Sequence, residues 1–239
     1  MTDSASIKKK TGRARNQIDM LHGPLLSKII LFALPLAASS VLQQLFNSAD
    51  IAVVGRFASS EAMAAVGSNA SVIGLLVNLF VGLSVGANVV IANLIGANHR
   101  ERINDAVHTV IAVALAAGVI LLALGILLAK PILSLMGAPD NVMDLAVLYL
   151  RVYFLGMPVV LLYNYGSAIL RSKGDSRRPL LALALSGVVN IGLNLLFVIA
   201  FHLSVVGVAL ATVFSNCIGA GMILFFLLSA VMFVIRILP

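Results

Sequence analysis

Charge, thiols and metal ligands are all scarce in this sequence, and each scarcity closes off a class of protein. Only 10% of the 239 residues are charged while 61% are hydrophobic, and the mean hydropathy is +1.08. A water-soluble domain of that composition could not cover its apolar surface, so an integral membrane protein is expected. The single cysteine, Cys217, sits in an apolar stretch without a partner. That excludes a disulfide framework or a thiolate metal site within one chain. The four histidines are scattered and show no HExxH or paired-ligand spacing, so metal-dependent hydrolysis has no support. With no nucleophile–base constellation either, a membrane enzyme is the poorest reading. Segments of alternating polarity are missing too, which excludes a spanning β-barrel and leaves an all-α integral membrane bundle.

What is present is a series of long apolar runs with basic flanks. Residues 1–24 read as a polar, basic cytosolic tail with no cleavable signal peptide. Residues 25–239 read as a six-span membrane lobe, with spans at about 25–54, 62–94, 106–129, 145–170, 180–201 and 206–235. Each is near or above the roughly 20 residues needed to cross a bilayer. Span three is expected to end at Lys130-Pro131, and Gly82 and Gly86 in span two make a GxxxG packing signal.

The net charge of +7 follows this topology and does not point to nucleic acid. With the N-terminus in the cytoplasm, the inner segments hold six basic residues through Lys28, then Arg100 and Arg102, then Arg171, Lys173, Arg177 and Arg178, then Arg236. The outer segments hold Arg56 and Lys130, and Arg151 lies in span four near enough its outer end to snorkel. That asymmetry puts both termini in the cytoplasm.

The stretch PLAASSVLQQLFNSAD, residues 35–50, departs from its apolar surroundings. As a helix it places Ser39, Gln43, Asn47 and Asp50 on one face, at spacings of four, four and three. Such a stripe is expected to face a protein interior or a water-filled cavity, not lipid. Pro35 lacks an amide donor and is expected to kink the helix or break a turn. Of the nine acidic residues only Asp50 lies well inside a span. An ionised carboxylate in hydrocarbon costs at least about 2.5–3.5 kcal/mol, so it is either protonated or held by a cation and donors. The alternative is an aspartate near the outer interface that caps and hydrates the helix end.

Span five carries Ser186, Asn190 and Asn194 at four-residue steps, and span six carries Thr212 and Asn216. Such residues commonly glue membrane helices together, at about 0.6 kcal/mol each. Taken with Asp50 they also supply hard oxygen ligands suited to Na⁺ or to a protonated acid. Tyr149, Tyr153, Tyr163 and Tyr165 in span four either line a route for aromatic or cationic solutes or form interface belts. Met136, Met143 and Met157 read as packing.

The run LPLAASSVLQQLFNSADIAVVGRF followed by EAMAAVGSNA resembles the first-span signature of the multidrug and toxic-compound extrusion (MATE) transporters. LRSKGDSRRP resembles that family's R-x-x-G-D-x-x-x-P connection between spans four and five. NIGLNLLFVI and GVALATVFSN resemble its fifth and sixth spans. The likeness covers about residues 20–225. It implies a cation-coupled antiporter, with H⁺ or Na⁺ as coupling ion and no other cofactor, exporting amphipathic or cationic drugs or toxins. By the same resemblance Asp50 is the essential carboxylate, Pro35 the helix hinge, and Asn190 and Thr212 polar members of the cation site. Gln43 lies in the same cavity, which Asn47 and Tyr153 are expected to share.

Two departures bear on these expectations. Asn194 stands where many members carry a second aspartate, and it is grouped here with the cation site, so that Na⁺ would sit among Asp50, Asn190, Asn194 and Thr212. The family also normally has about twelve spans in two lobes of six, whereas one lobe is seen here. A second lobe in trans, a parallel homodimer, a fragment whose partner lobe is missing, or a non-transporting assembly module are the readings this leaves, with rocking of paired lobes as the family's transport motion. A flippase for lipid-linked sugars is a further alternative; it would need an intramembrane basic patch, for which Arg151 alone is thin support.

Overall fold

In a computed structural model of the chain, residues 25–97 and 99–236 are described. The cytosolic-tail reading of residues 1–24 and the last three residues of the lobe lie outside them. Seven α-helices follow one another: α1 (Leu25–Phe57), α2 (Ser60–Gly96), α3 (Arg100–Leu135), α4 (Asp140–Leu155), α5 (Met157–Ser172), α6 (Arg177–Leu195) and α7 (Ser204–Arg236). A single π-helical turn, Leu196–Ala200, extends α6. Five helices or helix runs are long and apolar enough to cross a membrane alone, and α4 with α5 makes a sixth span bent by 50°. The expected six-helix membrane bundle is therefore present, all-helical in its regular elements among the described residues.

The bend in span four is the main departure from the expected layout. α4 ends at Gly156, and Pro158 sits in the first turn of α5, where its missing N–H leaves no helical bond unmade. Met157 is fully buried at the corner. Two other differences concern boundaries and packing. α3 runs through Lys130-Pro131 to Leu135, because the extra turn buries Leu133 completely. Gly82 and Gly86 face open space, so their GxxxG brings no helix close within this chain.

Two apolar clusters hold the bundle together. The larger joins α1, α2, α4, α5 and α7 through Val54, Val66, Leu150, Phe154, Leu161 and Val208. The smaller joins the opposite ends of α2, α5, α6 and α7 through Ile91, Ile169, Leu170, Ala182, Ile223 and Leu227. Large apolar side chains such as Leu75, Leu127, Val188 and Phe225 are exposed on the outside, as a lipid-facing belt requires. α1 packs chiefly along α6 at the edge of the bundle. That contact is close: a Cβ on Gly187 would fall 1.9 Å from the Phe46 ring.

The α5–α6 loop, residues 173–176, explains the R-x-x-G-D-x-x-x-P spacing. Gly174 takes φ +79°, the left-handed conformation that ends α5. The amides of Gly174 and Asp175 bond back to Arg171 O (2.9 Å) and Leu170 O (3.1 Å), satisfying the last carbonyls. Asp175 Oδ1 then accepts from the Arg178 amide at 3.1 Å and caps α6. Its other oxygen lies 3.3 Å from Arg178 Nε.

Candidate functional site

Asp50, on α1 two turns before its C-terminal end, is 8% exposed. The four-residue steps of α6 turn Asn190 and Asn194 toward it, and both are buried. Asn194 Nδ2 donates to Asp50 Oδ1 at 2.5 Å and to Asn190 Oδ1 at 3.2 Å. Asn190 Nδ2 donates onward to Thr212 Oγ1 of α7 at 3.4 Å, and Thr212 Oγ1 donates to Val208 O at 2.9 Å. One hydrogen-bonded line thus ties α1 to α6 and α7. A hydrogen bond to an ionised carboxylate contributes about 1.5–3 kcal/mol, so the line offsets much of the burial of Asp50. The carboxylate bonds to a residue 144 positions away, which is not the arrangement of an interfacial helix cap.

Below the line lies a cavity of about 100 Å³. Gln43, Asn47, Asp50, Tyr153, Asn190 and Thr212 all line it. Asn194 stands behind Asp50 and Asn190, reached only through its bonds. Pro35 does not reach the cavity; α1 continues through it as helix, and Ser39 Oγ donates to its carbonyl at 2.8 Å. Gln43 and Asn47 are exposed, so the cavity is open on the α1 side. It sits between the two apolar clusters, with Val160 from the larger and Tyr163, packed against the smaller, both in its wall.

Ser186 and Asn216, on the polar faces of spans five and six, and Tyr163, expected on a solute route or in an interface belt, all line the cavity. The sequence reading passed over Asn164, a buried wall residue whose Nδ2 bonds to Val160 O within its own helix. It also passed over Asn69, fully buried, which joins α2 to α4 by donating to Ala146 O at 3.0 Å. Asn69 has no polar residue three or four positions away, so periodicity does not mark it, whereas Asn164 has Ser167 three positions on, a signal that could have found it. The tyrosines are not interface belts: Tyr149 and Tyr165 are buried in the core, and Tyr149 stacks on Tyr153 with centroids 6.3 Å apart.

Na⁺ fits this donor set only with one change. As placed, Asn194 presents its NH₂ to both Asp50 and Asn190, while its own buried Oδ1 has no partner. Turning that amide over would bring three oxygens together, which only a cation could hold. In the orientation seen, the amide itself serves as the positive partner of the carboxylate, and a proton on Asp50 needs no rearrangement of oxygens.

Arg151 is exposed on the bundle surface, its Nε donating to Ile126 O at 3.2 Å. Among the described residues no Lys or Arg lines the cavity.

Residues 35–196 match the family profile described as MatE. The chain belongs to the MatE family. A probable multidrug resistance protein, YoeA of Bacillus subtilis, is 34% identical over 190 residues, covering 78% of this chain and 41% of YoeA. The probable multidrug resistance protein NorM of Thermotoga maritima is 32% identical, with coverages of 82% and 43%. A crystal structure of MATE in the bent conformation superposes with a TM-score of 0.80 at 30% identity, covering 85% of this chain and 45% of that one. The chain therefore spans less than half the length of the relatives it matches, consistent with one lobe of a MATE transporter. It is a multi-pass membrane protein of a transporter family.

Proposed function

We propose that this chain is one six-helix lobe of a cation-coupled antiporter that exports amphipathic or cationic drugs. Asp50 is the coupling carboxylate, and Asn190, Asn194 and Thr212 hold it and the H⁺ or Na⁺ it exchanges. The observation that carries this reading is the bond from Asn194 to a buried Asp50 at the head of a polar cavity. Occupancy of Asp50 would alter how α1 seats on α6, with Pro35 as the place where α1 gives. The basic flanks orient the lobe with both termini in the cytoplasm of the cell membrane. Drug passage requires a second lobe beside this one, because a cavity of about 100 Å³ holds water or an ion and no drug-sized molecule. A lipid-linked sugar flippase is disfavoured by the lining, which offers no cation to a pyrophosphate.

Dye efflux from cells expressing the chain tests this against an empty vector. Asp50→Asn should abolish gradient-driven efflux at unchanged expression. Normal export by that variant would make the carboxylate structural. No efflux from the unaltered chain would remove the transport claim for the lobe by itself. Driving efflux with a Na⁺ gradient or a pH gradient alone separates the two ions.

A further inference from the structure

The cavity has a floor as well as a head, and the polar groups do not stop there. Tyr163, Ser167 and Arg171 follow one another at four-residue steps on α5, hence on one face, over about 12 Å toward the cytoplasmic end. Tyr163 lines the cavity and its hydroxyl donates to Pro179 O at 3.1 Å. Ser186 shares that floor, and both it and the Tyr163 ring lie 3.3–3.4 Å from where a Cβ on Gly219 would be. One turn further, Ser167 is completely buried and, among the described residues, its Oγ has no hydrogen-bond partner; one turn beyond that, Arg171 Nε is buried and has none there either. Leaving such groups unmade costs about 1–3 kcal/mol each, and water between them would recover it. The proposed function leaves this line of groups unused.

We propose that Tyr163, Ser167 and Arg171 form the inner limb of a proton route that joins the Asp50 cavity to the cytosol through α5. This rests on the reading of Asp50 as a coupling carboxylate, and it specifies the ion that uses the limb. Each hydroxyl takes a proton on a lone pair and releases its own, Tyr163 to Ser167 and Ser167 to water at the cytosolic mouth, so O–H bonds form and break in equal number; Arg171 has no acceptor and carries none of these protons. Tyr163 acts as the gate: while it donates to Pro179 O the limb is closed, and turning its O–H toward Ser167 opens it. The Arg171 charge at the mouth repels metal cations and keeps a proton from resting on the limb, so passage is a transient hop and not a standing leak.

Proton flux into proteoliposomes holding the chain and a trapped pH-sensitive dye, under an imposed pH gradient, tests the limb. Tyr163→Phe and Ser167→Ala should each lower flux at least tenfold, as Asp50→Asn does, and Arg171→Gln should raise it. Wild-type flux in the Phe and Ala variants with Asp50→Asn still blocked overturns the limb and leaves Asp50 its role. Flux indifferent to Asp50→Asn overturns the coupling reading, and with it the limb's supply of protons. If the unaltered chain conducts below detection, thiol labelling decides. In a Cys217→Ser background, Ser167→Cys should react with a water-soluble maleimide from the cytosolic side at least ten times faster than Leu170→Cys, which sits in the dry cluster; equal rates overturn the proposal.

Discussion

At Asn194 one NH₂ group serves two oxygens, Asp50 Oδ1 and Asn190 Oδ1, while the amide's own oxygen is buried without a partner. A carboxylate at this position would face Asp50 at hydrogen-bond distance, and two such groups cannot both ionise unless a cation joins them. Asn194→Asp should therefore make stability in detergent Na⁺-dependent, with a higher Tm in NaCl than in choline chloride. A response no different from that of the unaltered chain would count against a cation site here. Asn194→Leu removes the donor and leaves Asp50 unpaired, which should cost about 1.5–3 kcal/mol in a thermal unfolding measurement. The types of these residues and their four-residue steps were readable in sequence, because helical periodicity states which residues share a face. Which amide would touch the carboxylate was not, since that depends on how α1 and α6 are set against one another. Of Asn190, Asn194 and Thr212, all grouped at the site from the sequence, Asn194 makes the direct bond to Asp50.

Among the elements, α1 is held on α6 through the Phe46–Gly187 contact, where no Cβ could stand without moving the ring. Gly187→Ala should lower stability by about 1–3 kcal/mol through overpacking. It should also loosen the Asp50–Asn194 bond, which would appear as faster amide exchange in α1. The cap of α6 is a separate device. Asp175→Ala should cost about 0.5–2 kcal/mol by losing the bond to the Arg178 amide. That change would be read in the same unfolding assay and should leave the ion site alone. The GxxxG of α2 and the bend of span four show where local pattern misleads. Gly82 and Gly86 carry a packing signature yet meet nothing, whereas Gly156 and Pro158 break a span that hydropathy alone presents as continuous. Small residues permit a close approach or a bend, but a neighbouring helix has to make use of it.

For the molecule as a whole, the cavity of about 100 Å³ compares with the roughly 300–1,000 Å³ typical of sites for drug-sized ligands. The chain by itself should bind a fluorescent cationic dye weakly, with no saturable polarization change at micromolar dye, while its stability still responds to Asp50→Asn. Saturable binding at that concentration would place a drug site within one lobe. Composition and span length were enough to establish a helical membrane bundle, because hydrocarbon accepts only segments that satisfy their own backbone. The order of motifs along the chain was enough to indicate the family. The cavity, its open side along α1, and the line from Asp50 through Asn194 and Asn190 to Thr212 were decided by tertiary structure alone. Periodicity sets the face a side chain occupies on its own helix, but only packing decides which faces of different helices meet.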